Sequence, residues 1–295
     1  MSAHTHTWFI TGSSRGFGRS LAIAALAAGD QVVATARKAE QLADLVDRFG
    51  DRVLPVALDV TDAAAAQAAF GAAGERFGRV DVVVNNAGYA NASAIETTPE
   101  DDFRRQFETN FWGVYNVSTA GLPILRAQGG GTIVQFSSIG GRVGGTPGLG
   151  SYQAAKFAVD GFTRVLAAET APFGIKTLVV EPGGFATDWA GASMQIPAVA
   201  PEYEPTVGEM VRLFSGATAP GDPDRAGEIL VRVVKQPNLP SHLIIGAGAV
   251  QMAQNYSHSQ IEEAAAWESV SRSADSGQDY PVELPGPAEE TGARR

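Results

Sequence analysis

The chain has 295 residues and a formal net charge of -10, with 44% hydrophobic and 18% charged side chains. That length can bury an ample core in one large domain or two small ones, and the composition excludes a fibre or a chain disordered throughout. The acidity makes it a poor general binder of nucleic acid or anionic membrane, and the lack of any cysteine excludes disulfide frameworks, thiolate clusters and cysteine nucleophiles.

Residues 1–6 read as a flexible polar leader without the basic and apolar stretches of a secretory signal, and no run of 18 apolar residues follows. A soluble, cytoplasmic protein is expected. His4 and His6 in the leader could hold a metal, but two histidines in a mobile tail are read as inert, and no metal is expected. From Thr7 onward short apolar runs alternate with longer helical stretches: strand Thr7–Ile10, helix Phe17–Ala28, strand Gln31–Ala36, helix Ala39–Phe49, strand Val53–Ala57, helix Asp62–Phe77 and strand Asp81–Val84. The rhythm continues through helix Asp101–Ala127, strand Thr132–Phe136, helix Tyr152–Ala171 and strand Ile175–Val180. Such alternation gives an α/β fold, a doubly wound parallel sheet of the Rossmann type, and the nearly all-apolar strands fit a sheet covered on both faces. After Val180 the rhythm breaks into a Pro- and Gly-rich segment, Glu181–Pro220, read as irregular and containing a substrate loop at about 185–220. A helix at Asp222–Lys235, a strand at His242–Ile245 and an amphipathic stretch at Val250–Ser271 complete a single domain over 7–272, and 273–295 reads as a disordered tail.

Directly after the first strand stands Thr11-Gly12-Ser13-Ser14-Arg15-Gly16-Phe17-Gly18, followed at once by a helix. Glycines there permit a tight turn and close approach of a pyrophosphate, and the helix amino end offers free N–H groups to the anion. An acidic residue usually ends the second strand when NAD is bound, because a carboxylate accepts from the ribose 2′-hydroxyl. Here that strand ends Thr35-Ala36-Arg37-Lys38, so Arg37, with Arg15 from the glycine loop, is suited to a 2′-phosphate. Charge-assisted hydrogen bonds of this kind would each favour NADP(H) over NAD(H) by about tenfold to a hundredfold, with NAD(H) still able to bind.

Tyr152 and Lys156 lie at i, i+4 on one helix face. An ordinary tyrosine titrates near 10, and a neighbouring ammonium favours its phenolate, so the pair is suited to exchanging a proton with a carbonyl or alcohol. Together with Asp59-Val60, Asn85-Asn86-Ala87-Gly88, Asn110, Ser138 and Pro182-Gly183-x3-Thr187, in that order, these residues resemble the short-chain dehydrogenase/reductase family over about residues 7–270. The wording of Val33–Lys38 and Gln153–Val159 looks like its bacterial branch related to 17-beta-hydroxysteroid and retinol dehydrogenases.

The resemblance implies an NADP-preferring oxidoreductase acting on a ketone or secondary alcohol. Tyr152 is then similar to the family's general acid, Lys156 lowers its pKa and holds the nicotinamide ribose, Ser138 holds the substrate oxygen, and Asn110 positions a water in the proton relay. Gly12, Ser14, Arg15, Gly16, Phe17 and Gly18 would hold the pyrophosphate region and Asp59 and Val60 the adenine. Asn86, Ala87 and Gly88 would line the cofactor cleft, with Pro182, Gly183 and Thr187 at the nicotinamide. Ser138 stands fourteen positions before Tyr152, one more than is usual in the family, and the loop Gly140–Pro147 holds the extra residue. Phe185 and Trp189 are expected to help form an apolar pocket for a bulky, weakly polar carbonyl substrate. The long helices Asp101–Ala127 and Tyr152–Ala171 are similar to those that pair across a two-fold in the family, implying a homodimer or homotetramer. A non-catalytic NAD(P)-sensing regulator on the same fold is the alternative, against which the joint presence of Asn110, Ser138, Tyr152 and Lys156 weighs.

Overall fold

A computed structural model of the chain describes residues 5–187, 194–216 and 219–285. In chain order the elements are β1 (Thr7–Ile10), α1 (Gly16–Ala27), β2 (Gln31–Ala36), α2 (Ala43–Phe49), β3 (Val53–Ala57), α3 (Ala63–Phe77) and β4 (Val82–Asn85). Then come β5 (Ala90–Asn91), α4 (Glu100–Phe107), α5 (Gly113–Ala127), β6 (Gly131–Phe136), α6 (Gly150–Thr170) and β7 (Ile175–Pro182). The last are β8 (Met194–Gln195), α7 (Glu209–Gly216), α8 (Pro223–Val234), β9 (His242–Ile245), α9 (Ala247–Ala266) and α10 (Glu268–Arg272). By its internal contacts the chain divides after Ala249: the α/β body precedes that point, and the second unit holds most of α9 and all of α10.

Seven strands form one parallel sheet in the order β3-β2-β1-β4-β6-β7-β9. Side-chain alternation in β1 sends Trp8 and Ile10 into one apolar layer and Phe9 into the other, so both faces of the sheet are buried. On the first face α1 and α8 approach closely because Gly227 lacks a Cβ, which would lie 2.9 Å from the Ser20 carbonyl oxygen. On the second, the Phe9 and Phe70 rings stack 4.1 Å apart, and Gly121 of α5 makes room for Phe70. The start of α8 is fixed by the Asp222 carboxylate, which accepts from the N–H groups of Asp224 (2.9 Å) and Arg225 (3.2 Å).

From β1 the chain winds outward to β3 and then returns to β4, which makes the β1/β4 boundary a topological switch point. A crevice opens there beyond the carboxyl ends of the strands. The glycine loop, Arg37, Asp59, Asn86–Gly88, Ser138 and Gly183 follow those ends, whereas Asn110 lies in the turn after α4 and Tyr152 and Lys156 within α6.

Two expectations are corrected. The helix read as continuous over Asp101–Ala127 is α4 and α5 separated by a π turn at Glu108–Trp112. The turn surrounds Asn110, whose buried side-chain amide inserts into the ladder by donating to the Gln106 carbonyl (3.1 Å). The segment read as irregular from Glu181 is structured in parts: β7 runs on through Pro182, β8 pairs in parallel with β5, a π turn occupies Glu204–Gly208, and α7 follows. Helix or strand is not described between Ser273 and Pro285. Among the described residues no helix is long and apolar enough to cross a membrane, and no three His, Cys, Asp or Glu side chains gather to hold a metal ion.

Candidate active site

The glycine loop is built against the end of β4. The Thr11 hydroxyl donates to the Val84 carbonyl (3.1 Å) and accepts from the N–H groups of Asn86 (2.9 Å) and Ala87 (3.0 Å). The Asn86 amide returns the tie, donating to the carbonyls of Thr11 (2.9 Å) and Gly12 (3.2 Å). This closeness excludes side chains: a Cβ on Gly18 would lie 2.4 Å from the Gly12 carbonyl oxygen, and Gly12 has φ +69° besides. The helix α1 then begins uncapped, since Arg15 at its N-cap makes no side-chain capping bond and its first turn holds no acid. A bare backbone cradle at a free helix amino end fits the pyrophosphate of a dinucleotide. Gly16, at φ +57°, faces the Thr187 side chain, which brings the segment after β7 over the same loop.

Farther along the crevice, Arg37 and Arg15 are both exposed, and among the described residues neither has a carboxylate partner. Asp59 accepts from the Thr61 N–H (3.0 Å) and hydroxyl (2.8 Å), which fixes the turn after β3. Val60 is buried against Gly113, and its carbonyl accepts from the Asn116 amide (3.1 Å).

Tyr152 and Lys156 leave α6 into the body and are 6% and 5% exposed. The Lys156 ammonium donates to the Phe136 carbonyl (2.7 Å) and lies 5.7 Å from the centre of the Tyr152 ring. Burial lowers it from the usual 10.5 to about 8, because desolvation disfavours the charged form. Gly88 brings a third group to this place: a Cβ there would lie 2.5 Å from the Asn110 side-chain oxygen and 3.6 Å from the Lys156 ammonium. The Asn110 amide nitrogen also donates to the Tyr89 carbonyl (3.0 Å), while its buried oxygen has no partner among the described residues. An unpaired acceptor beside an ammonium is suited to holding a water or hydroxyl.

The structure separates the two serines ending β6. Ser137 is buried, and its hydroxyl donates to the Lys156 carbonyl (3.1 Å), so it is committed to the fold. Ser138 is half-buried and accepts from the Gly140 N–H (3.0 Å) at the head of a short 3-10 turn, Ile139–Gly141. Pro182 and Gly183 close the far side, where the Gly183 N–H donates to the Ile245 carbonyl (3.0 Å).

Comparison with known proteins bears on this arrangement. The family described as short chain dehydrogenase matches residues 6–196. The chain belongs to that family. This short-chain dehydrogenase is accordingly an NAD(P)-dependent oxidoreductase. It is 53% identical over 253 residues to Oxidoreductase BOA17 of Botryotinia fuckeliana, covering 84% of this chain and 92% of that protein. A short-chain dehydrogenase from Streptomyces avermitilis has a similar structure at 39% identity, with TM-score 0.87, over 93% of this chain and 100% of the other. A 3-ketoacyl-(acyl-carrier-protein) reductase from Brucella melitensis, in complex with NADH, superposes with TM-score 0.70 at 26% identity, covering 83% and 98% of the two chains.

Tyr152 is packed with Ala90, Ala92, Leu149, Met194 and Met210 in a small apolar cluster of its own. Of the two aromatics expected in a substrate pocket, Trp189 lies outside the described residues. Phe185 is placed elsewhere: its ring sits 4.8 Å from the Phe17 ring and against Gly221, part of the layer under α1. Phe17 is correspondingly a packing ring between Phe136 and Phe185, which leaves only its backbone to the glycine loop. Gln106, fully buried, escaped the sequence reading. Its amide donates to the Tyr89 carbonyl (3.0 Å) and accepts from the Asn91 N–H (3.1 Å), joining Asn110's surroundings to β5. The only signal in the sequence was its place four residues before Asn110.

Proposed function

We infer that this short-chain dehydrogenase reduces a bulky, weakly polar ketone, or oxidises the matching secondary alcohol, with Tyr152 as general acid and base. The observation that carries this is a buried ammonium beside Tyr152, itself walled by Leu149, Met194 and Met210. A bound nicotinamide would exchange the hydride. Tyr152 gives its hydroxyl proton to the carbonyl oxygen as that oxygen gains charge, and Lys156 favours the phenolate left behind. Ser138 holds the same oxygen from the opposite side, and the Asn110 oxygen receives the water or hydroxyl through which the proton is replaced. The apolar wall excludes solvent and selects a substrate with little polar surface. Consumption of NADPH against bulky steroid-like and aromatic ketones, with small aliphatic carbonyls alongside, tests the reading. Turnover restricted to the bulky ketones is expected; bound NADPH with no turnover of any carbonyl would favour a sensing role.

The exposed Arg37, with no carboxylate partner among the described residues, supports preference for NADP(H), as does the exposed Arg15 of the glycine loop. Arg37→Ala should weaken NADPH binding by about tenfold to a hundredfold, as expected for one charge-assisted contact, and leave NADH nearly unchanged. Equal losses for the two cofactors, measured by fluorescence titration, would exclude a phosphate contact.

A homodimer or homotetramer is the assembly we favour. Trp112 (45% exposed), at the end of the π turn, and Tyr115 (40%) of α5 form an apolar patch whose rings interlock with Phe111 and with Phe162 of α6. Large rings clustered in water mark a surface made for contact. Sedimentation of the wild type should show a dimer or larger species, and Tyr115→Arg a shift toward monomer; a monomeric wild type would overturn the assembly.

A further inference from the structure

The spacing of fourteen residues from Ser138 to Tyr152 has to be reconciled with a serine held in place for catalysis. The loop between them is tied down near both ends. At the serine end, the Arg142 Nε donates to the Glu181 carboxylate (2.8 Å), whose side chain is only 1% exposed in β7, directly before Pro182 and Gly183. The intervening turn is short and fully bonded, with the N–H groups of Gly141 and Arg142 donating to the carbonyls of Ser138 (2.9 Å) and Ile139 (3.0 Å). At the tyrosine end, the buried Gln153 side chain donates to the Thr146 hydroxyl (2.9 Å) and accepts from the Thr146 N–H (3.2 Å). Between the ties lie Gly144 and Gly145, at φ +64° and +73°; a Cβ on Gly144 would lie 3.1 Å from the Phe157 ring, whereas one on Gly145 would meet nothing within 4 Å. Open space is thus centred on Gly145, with Gly144 packed against Phe157 beside it.

We propose that Arg142 and Glu181 form a positioning clamp that holds Ser138 against the nicotinamide end of the cleft, with Gln153–Thr146 as its counterpart, so that the loop's extra residue is absorbed at Gly144-Gly145. The inference rests on the ketoreductase reading of the site. A buried carboxylate that loses its cationic partner is left uncompensated, so the turn has to move if Arg142 is removed. The same pair joins the serine's turn to the strand leading into Pro182 and Gly183, and thereby sets substrate oxygen and cofactor positions together.

Four variants test the clamp: Arg142→Met, Arg142→Lys, and single-glycine insertions either between Gly144 and Gly145 or between Gly140 and Gly141. Arg142→Met should lower kcat at least tenfold while the NADPH Kd stays within about threefold, and Arg142→Lys should recover a substantial share of that loss. The insertion between Gly144 and Gly145 should leave kcat within about threefold, whereas the one on the serine side of the clamp should lower it fiftyfold or more. Hydrogen exchange of the peptide 139–149, which needs no turnover, should speed up at least tenfold in Arg142→Met and stay unchanged with the Gly144–Gly145 insertion. Exchange and kcat at wild-type levels in Arg142→Met would overturn the proposal, as would equal effects of the two insertions should that variant fail to fold. A wild type that binds NADPH but turns over no ketone defeats the ketoreductase reading instead, and the exchange measurement still decides the clamp.

Discussion

Tyr152→Phe should lower kcat by a factor of about a hundred to ten thousand, the range for removal of a positioned acid, or roughly 3 to 5 kcal/mol of barrier. The phenylalanine ring keeps the contacts with Leu149, Met194 and Met210, so the fold and the NADPH Kd should change little. The proton donor is lost. The glycine cradle that would hold the dinucleotide is formed by β1, α1 and the end of β4 and does not involve the phenol. Stopped-flow or steady-state NADPH oxidation with a ketone the wild type accepts, beside a fluorescence titration of NADPH, separates the two effects. A variant with undiminished kcat would remove Tyr152 from the chemistry and pass the acid role to another group.

How much of this could be seen beforehand follows from where the determining forces lie. The sheet was legible because its strands are buried on both faces and therefore apolar throughout, and because each is separated from the next by a stretch of helical period. The glycine loop was legible because close backbone approach leaves no choice of residue, as at Gly18. The π turn at Asn110 was not, since one extra residue in a helical turn barely alters the apolar period and its cause is a tertiary bond made by the Asn110 amide. The structure of 194–216 was hidden for a similar reason. The two-residue strand β8 exists only by pairing with β5, a contact that no local pattern encodes. Ser138 was singled out by the order of the motifs, and the fold adds a fact the sequence did not hold, that the neighbouring Ser137 hydroxyl is spent on the Lys156 carbonyl. Phe185 shows the limit of reading aromatics by neighbourhood. A ring near a substrate loop in sequence became a core contact of Phe17 in space.

Lys156→Met should abolish catalysis yet leave the protein at least as stable at pH 7, the reverse of what most buried substitutions do. Burial takes the ammonium from 10.5 in the unfolded chain to about 8 in the folded one, so below pH 8 the fold carries a charge it disfavours. At 1.36 kcal/mol per unit that cost is on the order of 3 kcal/mol. Methionine removes the charge and fills a similar volume, but leaves the Phe136 carbonyl without its donor, at about 1 to 3 kcal/mol. The net expectation at pH 7 is a change between about zero and 2 kcal/mol in favour of the variant. The sign of the pH dependence is fixed by linkage. Between pH 8 and 10.5 the unfolded chain still holds the lysine proton while the folded protein has released it, so the wild type gains stability relative to the variant as pH rises through that window. Urea unfolding of both proteins from pH 7 to 10 measures the gap. A variant several kcal/mol less stable at pH 7, with a gap independent of pH, would mean that the folded protein favours the ammonium. Lys156 would then be an ordinary structural cation, and the strain that readies it beside Tyr152 would not exist.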